Sequence, residues 1–312
     1  MLAQKVRSRL SSGRAPWTAV PPSALVLTGV FSVQFGAGLA AKLFTQIAPA
    51  AVTGLRLWTS AVVMVLIGAR PLRAALSGLA RRRAWRHAAV AAGFGLTLAV
   101  MNFSIYQSFA RIPLGIAVTV EFLGPLGVAV ASSRRLLDAA WVGLAGTGVA
   151  LLAHGGLPAA TGHGTAVLGF AFALLAALSW SAYILLSRAT GQRFSGSTGL
   201  TIAMCVAAVV ITPVGVAAGR GALLRPGIVA AGLGIGLLSS IIPYSLEMEA
   251  LRRIPPRVFG IWMSLEPAVA ALVGLVLLGQ ALAVRDWLAI GCVMAACAGA
   301  ARGAGQPGAP EA

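Results

Sequence analysis

Charge is what this sequence has least of. Charged residues make up 10% of the 312 positions, and only seven are acidic. Soluble domains carry about 25% charged residues. With 58% hydrophobic residues, the chain has too few charges to cover a water-facing surface of this size. A soluble globular protein is excluded, and an all-α polytopic membrane protein is the class that remains. Cysteine is also scarce. Cys205, Cys292 and Cys297 all sit in apolar runs, with no disulfide framework and no metal spacing. The three histidines are scattered and form no HExxH pair. The sequence therefore implies neither a metal nor a cofactor.

What the chain does have is long apolar runs. Windows of about 20 apolar residues read as membrane-crossing helices. Ten are predicted, called spans 1 to 10: 22–44, 48–68, 88–109, 113–131, 137–153, 165–187, 197–217, 227–248, 257–278 and 284–301. Residues 1–20 and 302–312 read as tails, and 154–164 as a linker on the far side of the membrane. The first apolar segment is too long for a cleaved signal peptide and continues through Lys42 into a second span.

The net charge of +17 follows from topology. With ten crossings, 18 of the 24 Lys and Arg fall on the side of the N-terminus. Five fall on the other side (Lys42, Arg111, Arg220, Arg225 and Arg285), and Arg56 lies inside span 2. The positive-inside rule then puts both termini in the cytoplasm. Contact with anionic lipid accounts for the excess charge, and nucleic acid is not implied as a partner.

The chain also repeats itself. "RIPLGIAVTVEFLGP" at 111–125 aligns without a gap on "RIPPRVFGIWMSLEP" at 253–267, an offset of 142. With slippage of a few residues the same offset pairs span 1 with span 6 and span 5 with span 10. The repeats are predicted at 21–153 and 165–301. Five crossings per repeat is odd, so the two halves must lie inverted in the bilayer, the architecture of alternating-access transporters.

Against this apolar background each ionisable residue needs a reason. A charge at mid-helix costs about 2.5–3.5 kcal/mol or more. Glu121 lies eight residues past Pro113, roughly 12 Å along its helix. It should face the bundle interior or a wet cavity. Pro125 removes the hydrogen bond that the Glu121 carbonyl would accept. A carboxylate and a freed carbonyl together suit an ammonium group or a proton. The rival reading is a protonated Glu bonded to a neighbouring helix. Glu266, before Pro267, occupies the mirrored position shifted by three residues, and either a coupling or a purely structural role is open to it. Glu247 shares a helical face with Ser240 and Tyr244, a candidate cavity wall, with snorkelling to water as the rival. Glu249 is read as a local ion pair with Arg252 and Arg253.

Gln34, Asn102, Tyr106, Trp180 and Tyr183 are the other polar or amphipathic side chains singled out within spans. Each alone is more often interhelical glue than a ligand contact. Together they are the predicted substrate-binding set with Glu121, Tyr244, Glu247 and Glu266, and Glu121 and Glu266 are the candidates for proton coupling. Pro113, Pro125, Pro255 and Pro267 are read as structural or hinge positions. Arg56 is read as a structural partner of a glutamate, with a substrate carboxylate as the alternative. Small residues repeat every four positions in span 5 (Ala139, Gly143, Thr147) and span 10 (Gly291, Ala295, Gly299). Such spacing permits close helix approach, so these spans pack on each other or form a homodimer face.

The segments "IPLGIAVTVEFLGPLGVAVASSRR", "IPYSLEMEALRRIP" and "FGIWMSLEPAVAALVGLVLLG" resemble the EamA family of the drug/metabolite transporter superfamily, and within it the amino-acid-exporter branch. The resemblance covers about 23–300. It implies two five-helix EamA-type repeats, inward termini and a bacterial inner-membrane location. It also implies efflux of threonine, homoserine or related small polar amino acids, driven by the proton gradient. One position departs: the family has Leu-Gly-Glu after span 9, and this chain has Leu278-Gly279-Gln280. The rivals are a same-fold exporter of drugs or other metabolites, a membrane-embedded enzyme and a non-transporting scaffold. An enzyme would need a nucleophile–base pair or a metal cluster in the spans, and the three loop histidines and the lack of an acidic pair with ligand spacing argue against it.

Overall fold

The computed structural model describes residues 20–79, 85–131, 136–154, 163–194 and 197–303. The tails apart from Val20, Arg302 and Gly303, and most of the 154–164 linker, lie outside these. Among the described residues every regular element is helical. Nine helices among the described residues are long and apolar enough to cross a membrane. Span 5 forms a helix over Leu136–His154 whose apolar part, Leu137–Leu152, is shorter. At 1.5 Å per residue that part covers roughly 24 Å of a hydrocarbon core about 30 Å thick. Span 2 is longer than predicted, Pro49–Leu79, with a kink at Gly68.

Span 4 is two helices, Leu114–Glu121 and Leu123–Ala131, and span 9 is two helices, Pro256–Met263 and Glu266–Leu278. The first halves, Leu114–Glu121 and Pro256–Met263, begin and end at the 142-residue offset. Each is preceded by a proline, Pro113 or Pro255, which cannot donate to a helix and sets the entry angle. The last turns also correspond. The Phe122 N–H bonds to the Val118 carbonyl and the Ser264 N–H to the Gly260 carbonyl, both near 3.0 Å. The repeat is thus structural down to the residue at which each helix stops.

Helix packing has the same symmetry. Span 1 packs on span 8 as span 6 packs on span 3, and span 1 on span 9 as span 6 on span 4. Spans 2 and 7, 4 and 9, and 5 and 10 pair across the pseudo-two-fold axis. Small residues permit the crossings. A Cβ on Gly124 would sit 2.2 Å from the Ala177 carbonyl oxygen, and one on Gly115 would sit 2.6 Å from the Ala271 Cβ. Spans 5 and 10 meet through Gly148 against Ala289 and Gly299 against the Trp141 ring. The stripe Ala139, Gly143 and Thr147 instead faces outward, as do Gly291 and Ala295.

The long helix of span 8 is irregular at its middle. Pro226–Gly236 passes through a π-helical turn, Leu237–Ile241, into Ile242–Leu251. Such turns interrupt the backbone ladder and recur at functional sites. Here the Ser32 hydroxyl donates to the Leu238 carbonyl at 2.7 Å, and Arg56 Nη2 donates to the Ser239 carbonyl at 3.0 Å.

Candidate functional site: a polar cavity between the two halves

The breaks in spans 4 and 9 border a cavity of about 350 Å³ lined by side chains of both halves. Glu121 enters it from the last residue of Leu114–Glu121. The helix stops there and resumes at Leu123, and Pro125 has no N–H to offer the Glu121 carbonyl. Glu266 enters from the opposite half, at the first residue after the span 9 break. Met263 holds the position equivalent to Glu121 and also lines the cavity. The position equivalent to Glu266 is Gly124, packed on the Ala177 backbone. The two-fold backbone therefore carries an asymmetric set of acids.

Glu266 is 6% exposed and is held from span 1, where Gln34 Nε2 donates to its Oε1 at 2.8 Å. Gln34 Oε1 and Glu266 Oε2 have no hydrogen-bond partner among the described protein atoms. Glu247 reaches the same cavity from span 8 and packs over Gly29 of span 1. It is half-buried and lines the cavity. Glu249, two residues further on and so on the other side of the helix, pairs with Arg253 and, at 3.6 Å, with Arg252.

Asn102, Trp180, Tyr183 and Tyr244 also line this cavity. Asn102 is anchored by its own helix, donating to the Leu98 carbonyl at 2.8 Å. Trp180 stands edge-on to Phe122, with ring centroids 5.0 Å apart, and so braces the residue at the span 4 break. Tyr183 packs against Phe94 at 5.1 Å. Tyr106 is fully buried and lies behind the wall, between Phe44 and Phe109, with the Arg56 guanidinium 5.5 Å above its ring.

Arg56 lines the cavity, and no carboxylate lies within ion-pair distance of it among the described residues. Its partners are neutral: the Tyr106 hydroxyl at 3.4 Å, the Ser240 hydroxyl at 3.4 Å and the Ser239 carbonyl. The sequence reading of a glutamate pair is replaced by this network.

Several contributors carry no sequence signal. Met101, Ile105, Phe109, Phe259 and Met263 line the cavity, yet an apolar residue in an apolar helix is unremarkable by pattern. Gln280 is another. Span 9 ends at Gly279, in the left-handed region at φ 66°, where glycine is favoured. The turn carries Gln280 back to span 4, where its Oε1 accepts the Leu114 N–H at 2.9 Å. The site of the departure from Leu-Gly-Glu is therefore a link between the two halves, and it needs an acceptor oxygen rather than a charge.

Comparison with known proteins agrees with this architecture. Residues 167–302 match the EamA-like transporter family. A threonine/homoserine exporter of Escherichia coli K12, RhtA, is 37% identical over 278 residues, covering 89% of this chain and 90% of its own. The Salmonella typhimurium LT2 protein of that name is 38% identical over 282 residues, with the same coverage of each chain. A solved crystal structure that is 18% identical covers 89% of this chain and 96% of its own, with a TM-score of 0.59, a likeness of fold.

Proposed function

This chain belongs to the EamA-like transporter family, and from that premise we propose that it is a multi-pass inner-membrane exporter of threonine, homoserine or related small polar amino acids, driven by proton antiport. Relatives named as threonine/homoserine exporters align over about nine-tenths of both chains. The observation that carries the reading is the convergence of Glu121, Glu247 and Glu266 on one cavity between two halves that each contain a broken helix.

The mechanism is a competition. On the cytoplasmic side, ionised Glu121 binds the substrate ammonium. On the far side, a proton takes the carboxylate and the substrate leaves. Glu266, steadied by Gln34, is the second carboxylate of the exchange. Rocking of one half against the other alternates access. The breaks near Pro125 and Pro267 are the hinges. Both termini face the cytoplasm, on the arginine distribution. The outward stripes of spans 5 and 10 are the surface through which two copies would meet, and crosslinking between cysteines placed at Gly143 and Gly291 tests that.

Labelled threonine in proteoliposomes with an imposed pH gradient tests the proposal. An acidic compartment on the receiving side should accelerate threonine movement toward it, and an alkaline one should slow it. Glu121→Gln should abolish or uncouple export while reaching the membrane at normal levels. Threonine export by that variant with an unchanged pH dependence would remove Glu121 from the mechanism.

A second reading, the same fold exporting a bulkier metabolite or drug, has one observation in its favour. An apolar pocket of about 250 Å³ adjoins the central cavity and shares Trp180, Phe259 and Met263 with it. Competition by a panel of apolar analogues separates the two readings.

A further inference from the structure

We propose that Arg56 is the carboxylate anchor of the central cavity, so that cargo is held as a zwitterion between Arg56 and the glutamates, and amines that lack a free carboxylate are refused. The inference rests on the amino-acid reading of the same cavity and narrows it to a substrate class.

The argument begins with charge. Among the described residues three carboxylates and one guanidinium line the cavity, and no other Lys, Arg or His does. Carboxylates alone would suit any amine. An amino acid presents one group of each sign, and the cavity wall does the same.

The second point is what Arg56 lacks. A cation inside a span is retained when it is paired or functional. Arg56 has only neutral partners, two of them at 3.4 Å. A guanidinium carries five N–H groups. The three contacts use Nε–H and one N–H on each Nη, which leaves a second N–H on each Nη to donate to a carboxylate. Beside it Ser239 Oγ, 2% exposed and lining the same cavity, has no partner among the described protein atoms. A hydroxyl there can donate to the same carboxylate.

The third point is rigidity. The π-helical turn gives Arg56 the Ser239 carbonyl as a fixed acceptor. Span 1 presses on that turn closely: a Cβ at Gly36 would fall 2.2 Å from Ser239 Oγ. The Tyr106 ring supports the other face of the guanidinium. The group is oriented in advance, and no carboxylate among the described residues lies within ion-pair distance of it, which leaves it able to take a carboxylate from the cargo.

The test is competition against labelled threonine in proteoliposomes. Threonine, threoninamide (carboxylate blocked) and 1-amino-2-propanol (carboxylate absent) are compared as competitors. In the wild type the two analogues should compete at least about 30-fold more weakly than threonine, the loss expected when one partner of a buried charge pair is removed. In Arg56→Gln, threonine should fall to the level of its amide, so the ratio collapses toward one. Arg56→Lys, which keeps the charge but not the fork, should give an intermediate ratio, and it decides the matter if the Gln variant does not fold. Equal competition by threonine and threoninamide in the wild type, or an unchanged ratio in the Arg56 variants, overturns the anchor while leaving amino-acid export intact. A wild type that moves no threonine overturns the amino-acid reading, and the anchor with it.

Discussion

Gln34 of span 1 holds Glu266 of span 9 through a 2.8 Å hydrogen bond, 232 residues apart in sequence and across the cavity wall. Both side chains are almost fully buried, at 2% and 6% exposure. A buried hydrogen bond to a charged group contributes about 1.5–3 kcal/mol. Gln34→Leu should therefore lower threonine transport by roughly tenfold or more, while Gln34→Glu, which can keep the bond only if one partner is protonated, should make activity depend more steeply on pH. Initial rates across pH in proteoliposomes check both.

Gln280 offers a separation of acceptor from charge. Gln280→Leu leaves the buried Leu114 N–H unpaired, a loss of about 1–3 kcal/mol. The variant should melt earlier than the wild type in detergent. Gln280→Glu restores the Leu-Gly-Glu pattern and keeps an acceptor oxygen, so its melting temperature should stay near that of the wild type. Equal melting of all three proteins would mean that the link does not matter.

Gly124 and Gly127 lie one turn apart on span 4 with opposite surroundings. Alanine at 124 collides with the Ala177 carbonyl, whereas at 127 a Cβ meets nothing within 4 Å. Overpacking of this kind costs about 1–3 kcal/mol. Gly124→Ala should lower the melting temperature. Gly127→Ala should leave it unchanged or raise it slightly, since alanine favours a helix by up to about 1 kcal/mol.

The hinge reading of Pro125 is tested against another proline inside a span. Pro125→Ala restores an N–H that can bond to the Glu121 carbonyl and stiffens the break. Transport should slow several-fold without a loss of thermal stability. Pro213→Ala, inside the unbroken helix Thr198–Gly219 and away from the cavity, should leave transport unchanged. If both variants transport alike, the span 4 break is not a hinge.

Much of this molecule is legible in the sequence. Apolar windows, the arginine asymmetry and the 142-residue offset reflect local chemistry, because each segment must satisfy the bilayer by itself. Glu121 could be singled out because a carboxylate in hydrocarbon needs a reason at its own position, and Pro125 because its missing N–H is a property of the residue. The π-helical turn under Arg56, the Gln280 link and the burial of Tyr106 behind the wall were not legible. Each depends on which neighbour arrives from another span. Pattern along the chain dictated how many helices form and where they break. Only packing decided which acids share a cavity, and why its one guanidinium stands beside hydroxyls and a carbonyl rather than a carboxylate: spacing along one helix does not encode the partners that the fold brings to it.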